Sequence, residues 1–208
     1  MRRIRIGVLA SGGGTNLQAI IDACERGEID GEVVVVITNM PEAYALERAR
    51  KHGIDAFCFP HKGLTREQHE ADIIECLEQH KVDLVCLAGY LRMLTPLFIN
   101  KYAGRLMNTH PALLPSFGGA GMHGLHVHEA VLNYGCKVSG CTIHFVTQEV
   151  DGGPIILQKA VPVLEDDTPE TLQERVLKEE HKLYPRAIQL FAQGKLKIEG
   201  RRVRILET

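Results

Sequence analysis

Short apolar segments alternate with longer amphipathic segments along the first half of the chain, and this alternation restricts the fold more than any other feature. An apolar run of roughly 4–8 residues has the length of a buried strand, whereas apolar residues three or four apart are typical of a helix. Strands that alternate with helices favour a parallel sheet with helices packed on its faces. The predicted strands are Ile4–Ala10, Val33–Thr38, Ala56–Phe59, Leu84–Ala88 and Arg105–Thr109, and the predicted helices are Asn16–Glu25, Ala43–His52 and Arg66–His80.

The pattern changes after residue 110, where β-rich runs and one long helix replace the regular alternation. The long helix begins at Thr168-Pro169, because Thr is a good N-cap and Pro is favoured in the first turn. Also predicted are a Gly/His-rich stretch over Phe117–Val127, a short helix near 128–134, strands over Gly140–Val146 and Ile155–Val163, and a hairpin within Lys195–Leu206. We therefore expect an α/β fold: a doubly wound, mainly parallel sheet with a Rossmann-like N-terminal half and a C-terminal β-rich/long-helix extension, in a single domain over residues 1–208.

Composition excludes several classes of partner. Hydrophobic residues make up 45% and charged residues 24% of the chain, which is typical of a globular protein and excludes a disordered one. A net charge of −2 argues against a nucleic-acid partner. The apolar runs are much shorter than the roughly 20 residues that cross a bilayer, and the N-terminus does not resemble a signal peptide. We expect a cytoplasmic protein that binds neither nucleic acid nor membrane, with six cysteines that stay free thiols.

A glycine-rich loop, Ser11-Gly-Gly-Gly-Thr-Asn16, joins the first predicted strand to the first predicted helix. Such a loop lets backbone N–H groups at a helix N-terminus approach an anion. The dinucleotide fingerprint is not matched, because Leu17 occupies the position of its third glycine, and the P-loop pattern is not matched, because the loop has no lysine. The sequence favours a monophosphate held by N–H groups, the Thr15 hydroxyl and the Asn16 amide. The alternative is a tight turn whose glycines serve packing only.

Two polar side chains, Asn108 and His110, end the fifth predicted strand on the same face, roughly 7 Å apart along the chain. Open α/β sheets bind ligands at this carboxyl edge. A histidine that titrates near neutral pH and an amide that donates a hydrogen bond suit a reaction in which a proton moves while an oxyanion forms. Asp151, in the turn Val150-Asp-Gly-Gly-Pro154, could set the state of that histidine. The alternative is three unrelated polar residues at strand ends.

Glu180 interrupts the apolar stripe of the long helix, so it faces the body of the protein. A carboxylate there needs a partner, because an unpaired buried charge is costly. It could belong to an internal ion pair, stay solvated at the edge of the domain, or line a substrate cleft. The stripe itself consists of Leu172, Val176, Leu183, Ala187 and Phe191.

Five segments of the chain resemble the phosphoribosylglycinamide formyltransferases, a branch of the 10-formyltetrahydrofolate-dependent formyltransferases. The resemblance extends over essentially the whole chain, in order and at matching spacing. The Asn-x-His-Pro and Asp-x-Gly motifs are shared by the wider family, whereas the glycine loop and the Glu-His segment are specific to this branch. The segments are Ser-Gly-Gly-Gly-Thr-Asn-Leu-Gln-Ala-Ile (11–20), Leu-Ala-Gly-Tyr-Leu-Arg-Met-Leu (87–94), Asn-Thr-His-Pro-Ala-Leu-Leu-Pro (108–115), the run from His144 to Ile155, and Glu-His-Lys-Leu-Tyr-Pro (180–185).

The resemblance implies transfer of a formyl group from 10-formyltetrahydrofolate to the amino group of glycinamide ribonucleotide, a step of purine biosynthesis that needs no metal. It implies a phosphate-binding half over about 1–100 and a catalytic and folate-binding half over about 101–208. The implied catalytic residues are Asn108, His110 and Asp151. The implied ribonucleotide-binding residues are Gly14, Thr15, Asn16, Gly89 and Glu180. The implied folate-binding residues are Arg66, Leu91, Arg92, Met93, Leu94, Asn108, Val146, Thr147 and Val150.

Two departures from the family pattern are visible. Gly13 stands where the family often has a larger residue, which loosens the loop. The stretch Ser116–His128 is longer than in many members, with an added Gly-Gly-Ala-Gly-Met-His-Gly, so none of its residues is assigned a catalytic role. Its three histidines, His123, His126 and His128, match no familiar metal-ligand pattern, and a solvated loop or a lid over the substrate is the favoured interpretation.

Two other functions stay open at this point. A 10-formyltetrahydrofolate hydrolase shares the catalytic trio, although such hydrolases carry an additional N-terminal domain and here the first strand starts at residue 4. A non-catalytic module that binds phosphoribosyl ligands would keep the glycine loop without needing Asn108, His110 and Asp151 together. The oligomeric state is expected to be monomer or homodimer.

Overall fold

A nine-stranded sheet organises the protein, whose computed structural model describes residues 2–207. The order of the strands across the sheet is β3-β2-β1-β4-β5-β6-β7-β9-β8. From β3 to β5 all neighbours are parallel, and the order reverses on either side of β1, which is the doubly wound arrangement. The strands are β1 (Ile4–Ala10), β2 (Gly31–Thr38), β3 (Asp55–Cys58), β4 (Leu84–Leu87), β5 (Leu106–His110), β6 (Val138–Phe145), β7 (Ile155–Pro162), β8 (Leu196–Glu199) and β9 (Arg202–Ile205).

Six helices accompany the sheet within residues 2–207: α1 (Thr15–Glu25), α2 (Tyr44–Lys51), α3 (Arg66–Gln79), α4 (Pro96–Lys101), α5 (Leu125–Tyr134) and α6 (Pro169–Ala192). The predicted fold class is confirmed, and the predicted elements are found with bounds that differ by a few residues. Two helices differ from the prediction. The short helix α4 was not predicted, because six residues carry too little periodicity, and α5 begins three residues before the predicted 128, at Leu125.

The C-terminal part of the chain extends the sheet with antiparallel strands. Strand β6 pairs antiparallel with β5, and its register places His144 directly opposite Asn108. Strand β7 pairs antiparallel with β6, whereas β9 of the predicted C-terminal hairpin lies parallel beside β7. Asn108 of β5 therefore lies between Leu87, at the carboxyl end of β4, and His144 of β6.

Apolar side chains pack on both faces of the sheet and leave the carboxyl edge open. On one face, α6 crosses β4 and β5, and the buried Tyr184 hydroxyl donates to the carbonyl oxygens of Leu87 and Met107 at 2.9 and 3.1 Å. These contacts fix the long helix against the ends of two strands. They bring Glu180, one turn earlier on α6, to the carboxyl edge.

Within residues 2–207, none of the helices is both long enough and apolar enough to cross a membrane. All six cysteines are free thiols, and burial raises the pKa of Cys24 and Cys76 to about 11.

Candidate active site

A cleft of about 500 Å³ opens at the carboxyl ends of β4 and β5, beside His144 of β6. This volume lies within the range of roughly 300–1,000 Å³ that is typical of small-molecule sites. Its lining combines the ends of these strands with the start of α1, one face of α6 and the loop before α5. Of the residues predicted for the site it includes Asn16, Gly89, Leu91, Arg92, Met93, Leu94, Asn108, His110, Val146, Thr147, Val150, Asp151 and Glu180.

His110 is buried at the centre of the cleft lining. Its Nε2 lies 2.8 Å from the carbonyl oxygen of Phe117, and because a carbonyl can only accept, Nε2 carries a proton. Its Nδ1 faces Asp151, 3.6 Å from Oδ2. The proton that His110 can exchange is therefore the one on Nδ1, on the side of the Asp151 carboxylate.

Asn108 is oriented by a histidine that was not assigned a role from the sequence. The Nδ1 of His144 donates to the carbonyl oxygen of Phe145 at 3.0 Å, which leaves Nε2 as the accepting nitrogen of the neutral ring. Burial lowers the pKa of His144 and keeps the ring neutral. The amide nitrogen of Asn108 lies 3.5 Å from this Nε2, so one amide N–H points to His144 and the other is free to meet a ligand.

The backbone around Asp151 explains why a turn can aim a carboxylate into the cleft. Asp151 has a φ of 52°, in the left-handed region where aspartate is tolerated better than most residues. Gly153 leaves no room for a side chain, because a Cβ there would lie 1.8 Å from the carbonyl oxygen of Phe145. The Asp151 Oδ2 accepts the N–H of Gly119 at 3.0 Å, and its Oδ1 lies 3.9 Å from Nε2 of His144. One carboxylate thus contacts both histidines and the loop before α5.

Glu180 lies at the polar end of the cleft and is only 4% exposed. The hydroxyl of Thr109 donates to its Oε1 at 2.6 Å, and the Asn16 side chain is a further hydrogen-bond partner. Burial raises the pKa of Glu180 to about 7, against the opposing effect of these hydrogen bonds. Among residues 2–207 it has no ion-pair partner, and it is buried in the cleft lining, so the structure favours the cleft over an internal ion pair or a solvated position.

The glycine loop leads directly into α1. Gly14 has a φ of 74° and lies so close to Ala45 that a Cβ would approach it to 3.0 Å, so this position requires glycine. Asn16 is buried and lines the cleft, whereas Thr15 is exposed in the first turn of α1. Gly14 and Thr15 stand beside the cleft rather than in its lining, where the N-terminal N–H groups of α1 can meet an anion.

One side of the cleft is apolar and exposed. The segment Leu91–Leu94, called the 91–94 wall below, leaves Leu91 64% and Met93 54% exposed, and Val150 on the facing loop is exposed as well. Apolar side chains placed in this way are covered when an aromatic or aliphatic ligand binds. Arg66 is the exception among the predicted folate-binding residues: it is exposed at the start of α3 and is not part of the cleft lining.

Residues 4–188 match the family model described as "Formyl transferase". The chain belongs to the formyl transferase family. The resemblance described above is confirmed by named relatives: the chain is 44% identical over 196 residues to phosphoribosylglycinamide formyltransferase of Escherichia coli, covering 94% of this chain and 90% of that protein. It is 42% identical over 200 residues to the chloroplastic phosphoribosylglycinamide formyltransferase of Arabidopsis thaliana, covering 94% and 68%.

Solved structures of formyl transferases share the fold. Glycinamide ribonucleotide transformylase 1 of Symbiobacterium toebii superposes with a TM-score of 0.94 at 53% identity and covers 99% of this chain and 95% of that one. A formyltetrahydrofolate deformylase of Pseudomonas syringae superposes with a TM-score of 0.90 at 25% identity, covering 99% of this chain and 66% of that one. The core fold is therefore shared by a transformylase and a deformylase, so the fold alone does not distinguish the two activities.

Sequence reasoning missed several residues that this formyl transferase places in its cleft. His144 could have been found as the residue opposite Asn108 only if the antiparallel register were known. His128 was treated as part of a solvated loop or lid, yet it is buried, and burial together with the nearby His110 lowers its pKa to about 4. The loop from Gly119 to Gly124 lines the cleft too. Within residues 2–207 no group of three or more His, Cys, Asp or Glu side chains is arranged to hold a metal ion.

Proposed function

We propose that the protein transfers the formyl group of 10-formyltetrahydrofolate to the amino group of glycinamide ribonucleotide, in purine biosynthesis. The observation that carries the proposal is that one cleft joins a polar end, an apolar wall and the Asn108–His110–Asp151 group between them. The relatives named above carry the matching activity in their names.

The polar end fits the ribonucleotide. The N-terminus of α1, with Gly14 and Thr15, offers N–H groups and a hydroxyl to a phosphate. Asn16 and Glu180 lie next to each other, and the Oδ1 of Asn16 is buried without a hydrogen-bond partner among residues 2–207. A buried acceptor in this state is satisfied when a ligand supplies a donor, and the hydroxyls of a ribose supply donors to both Asn16 and Glu180.

The apolar side fits the folate. A flat heteroaromatic ring placed between the 91–94 wall and Val146–Val150 would cover Leu91, Met93 and Val150. When bound, the donor presents its formyl carbon to the acceptor amine, and attack there places negative charge on the formyl oxygen. Arg92 at the wall can meet the acidic tail of the folate. Arg66 is separate from the cleft lining, and its assignment to folate binding rests on the resemblance alone.

Asn108 and His110 stabilise the charge that develops on the formyl oxygen. The Asn108 amide is held by neutral His144 and keeps one N–H for this oxygen, without any change of its own charge. His110 in its protonated form offers the Nδ1–H proton in the same region. Preorganised donors of this kind contribute about 10²–10³-fold to the rate of acyl transfer.

Asp151 and His110 move the proton. The attacking amine loses a proton when the new C–N bond forms, and the folate nitrogen gains one when the old C–N bond breaks. The Asp151 carboxylate, beside His110 and His144, can accept the first proton and return one through Nδ1 of His110. The net reaction moves a formyl group and one proton in opposite directions and needs no oxidant or metal.

A 10-formyltetrahydrofolate hydrolase would use the same group with water as the nucleophile. The similarity to a deformylase is consistent with this alternative. Hydrolysis does not need a binding site for the ribonucleotide, however, and Glu180 and Asn16 form the polar end of the same cleft here. We further propose a cytoplasmic monomer or homodimer that acts on these two small molecules, without nucleic-acid or membrane partners.

An absorbance assay of tetrahydrofolate release, with and without glycinamide ribonucleotide, tests the proposal. Release that depends on the ribonucleotide and saturates with it supports transfer. Release at the same rate without the ribonucleotide would support the hydrolase and contradict the proposal.

A further inference from the structure

Ser11 is the first residue of the glycine loop, but its contacts lie on the other side of the cleft. Its N–H donates to the carbonyl oxygen of Gly89 at 3.1 Å. Its Oγ accepts the N–H of Leu91 at 3.0 Å and donates to Oδ1 of Asn39 at 2.7 Å. A residue of the glycine loop thus holds the beginning of the 91–94 wall by a hydrogen bond.

Asn39 determines where the Ser11 hydroxyl points. Asn39 is 4% exposed, and its Oδ1 can only accept, so the Ser11 hydroxyl proton is directed to it. The Asn39 amide nitrogen donates to Nδ1 of His61 at 3.2 Å, which fixes the amide orientation. With its proton committed, Ser11 Oγ presents a lone pair to the Leu91 N–H.

The far end of the wall is held by a second buried side chain. Glu70 of α3 accepts the N–H of Thr95 at 2.8 Å and also the Thr95 hydroxyl. Between these two anchors, Leu91 and Met93 are largely exposed, so little packing fixes their position. The geometry of the wall therefore depends on hydrogen bonds from the residues that follow β1 and β2 and from α3.

We propose that Ser11 and Asn39 are positioning residues for the formyl-folate side of the cleft, although Ser11 belongs to the loop that faces the ribonucleotide phosphate. This inference rests on the proposed function, because it assigns the 91–94 wall to the folate. The glycine loop has its own supports: the N–H of Ala45 donates to the Gly12 carbonyl at 3.2 Å, and Nε of Arg48 donates to the Gly13 carbonyl at 2.7 Å. Removal of the Ser11 hydroxyl leaves those supports, and the backbone bond to Gly89, in place.

Ser11→Ala tests the proposal, with Asn39→Ala as a second variant that breaks the same chain of hydrogen bonds without touching the loop. Ser139→Ala is the control for loss of a serine hydroxyl, because Ser139 is buried outside the cleft lining and its hydroxyl has no partner among residues 2–207. The readouts are kcat, the KM of each substrate, the melting temperature, and the Kd of 10-formyl-5,8-dideazafolate, a stable analogue of the donor.

Both test variants are expected to raise the folate KM and the analogue Kd about fivefold, which corresponds to about 1 kcal/mol at 1.4 kcal/mol per tenfold. The ribonucleotide KM and kcat stay within about twofold, and Ser139→Ala changes neither KM. An equal rise in both KM values, or a loss of melting temperature with an unchanged analogue Kd, would overturn the proposal. The unmodified protein is assayed in parallel: formyl transfer that fails there contradicts the proposed function, whereas the ratio of analogue Kd values still decides the role of Ser11.

Discussion

Glu180→Gln changes one atom of a buried carboxylate and separates its effect on stability from its effect on binding. The glutamine oxygen can still accept the Thr109 hydroxyl bond. Asn16 donates to the carboxylate in the unmodified protein, and when its amide turns over, the glutamine NH₂ group can donate to Asn16 Oδ1. The substitution therefore keeps the shape and the local hydrogen bonds and removes the charge. In the unmodified protein that charge lies in a site with no ion-pair partner among residues 2–207.

The magnitude follows from the pKa of Glu180, which burial raises from 4.5 to about 7. Below pH 4.5 the carboxyl is protonated in both the folded and the unfolded chain, so it imposes no penalty. Between pH 4.5 and 7 the unfolded chain loses its proton first, and the free energy of unfolding falls until the folded carboxyl also ionises. Once the carboxyl is ionised in both states, the free energy of unfolding has fallen by about 3 kcal/mol, because each tenfold change in proton affinity corresponds to about 1.4 kcal/mol.

Glutamine does not ionise, so Glu180→Gln is expected to melt like the unmodified protein near pH 4.5 and higher at pH 8. For a protein of this size, about 3 kcal/mol corresponds to roughly 6–12 °C. Substrate binding changes in the other direction: loss of a charged acceptor for the ribose hydroxyls raises the ribonucleotide KM about 10-fold or more.

Thermal melts at pH 4.5, 6, 7 and 8, together with KM measurements, check both effects. Glu179→Gln is the control, because the neighbouring Glu179 pairs with Lys182 at 3.7 Å on the surface. The difference in melting temperature between Glu179→Gln and the unmodified protein should stay nearly the same across this pH range, because Glu180 is present in both. An unchanged ribonucleotide KM, or a Glu180→Gln protein that melts lower than the unmodified one at pH 8, would refute the assignment.

Three further predictions concern other residues. His110→Ala and Asp151→Asn each lower kcat by about 10²–10⁴-fold with a nearly unchanged circular-dichroism melt; near-normal turnover in either variant would remove the proposed role. Thr15→Ala combined with Asn16→Ala raises the ribonucleotide KM and spares the folate KM in initial-rate kinetics, whereas equal losses would indicate a structural loop. Asp167 is held by two hydrogen bonds from the arginine eight residues later, and this contact lowers the Asp167 pKa. Asp167→Asn therefore lowers the free energy of unfolding by about 1–2 kcal/mol at pH 7 in urea titrations, without loss of activity. The stability that a lowered carboxyl pKa provides is complete above the unfolded value of 3.8 and is lost as the pH falls towards the folded value, so a deficit that does not shrink below about pH 4 would contradict this cause.

Much of the fold can be predicted because local patterns and global topology agree. Strand β1 has the predicted bounds Ile4–Ala10, and helix α3 begins at the predicted Arg66, after a capping box in which Thr65 and Gln68 form both hydrogen bonds. Asn108 and His110 share a face because side chains alternate along a strand, and they lie at the carboxyl edge because they are at the end of β5. The predicted burial of Glu180 is confirmed, because every other position of its stripe packs inward or is partly covered.

The rest depends on contacts between residues that are distant in sequence. The position of His144 opposite Asn108 is set by the antiparallel register of β5 and β6, which no local pattern reveals. The contact between Ser11 and Leu91 spans 80 residues. The Gly-rich stretch from Gly118 to Gly124 could adopt many conformations, and its place in the cleft lining depends on bonds such as Gly119 N–H to Asp151. Arg66 was assigned to folate binding from the resemblance alone, and the structure places it on the surface outside the cleft lining.

The destination of the formyl carbon tests the central claim most directly. Donor labelled with ¹³C in the formyl group is incubated with the enzyme and glycinamide ribonucleotide, and the products are followed by ¹³C NMR. Formyl transfer predicts that the label appears as an N-formyl amide on the ribonucleotide, in equal amount to the tetrahydrofolate released, and only when the amine is present. Label that appears as free formate, whether or not the ribonucleotide is added, would contradict the claim.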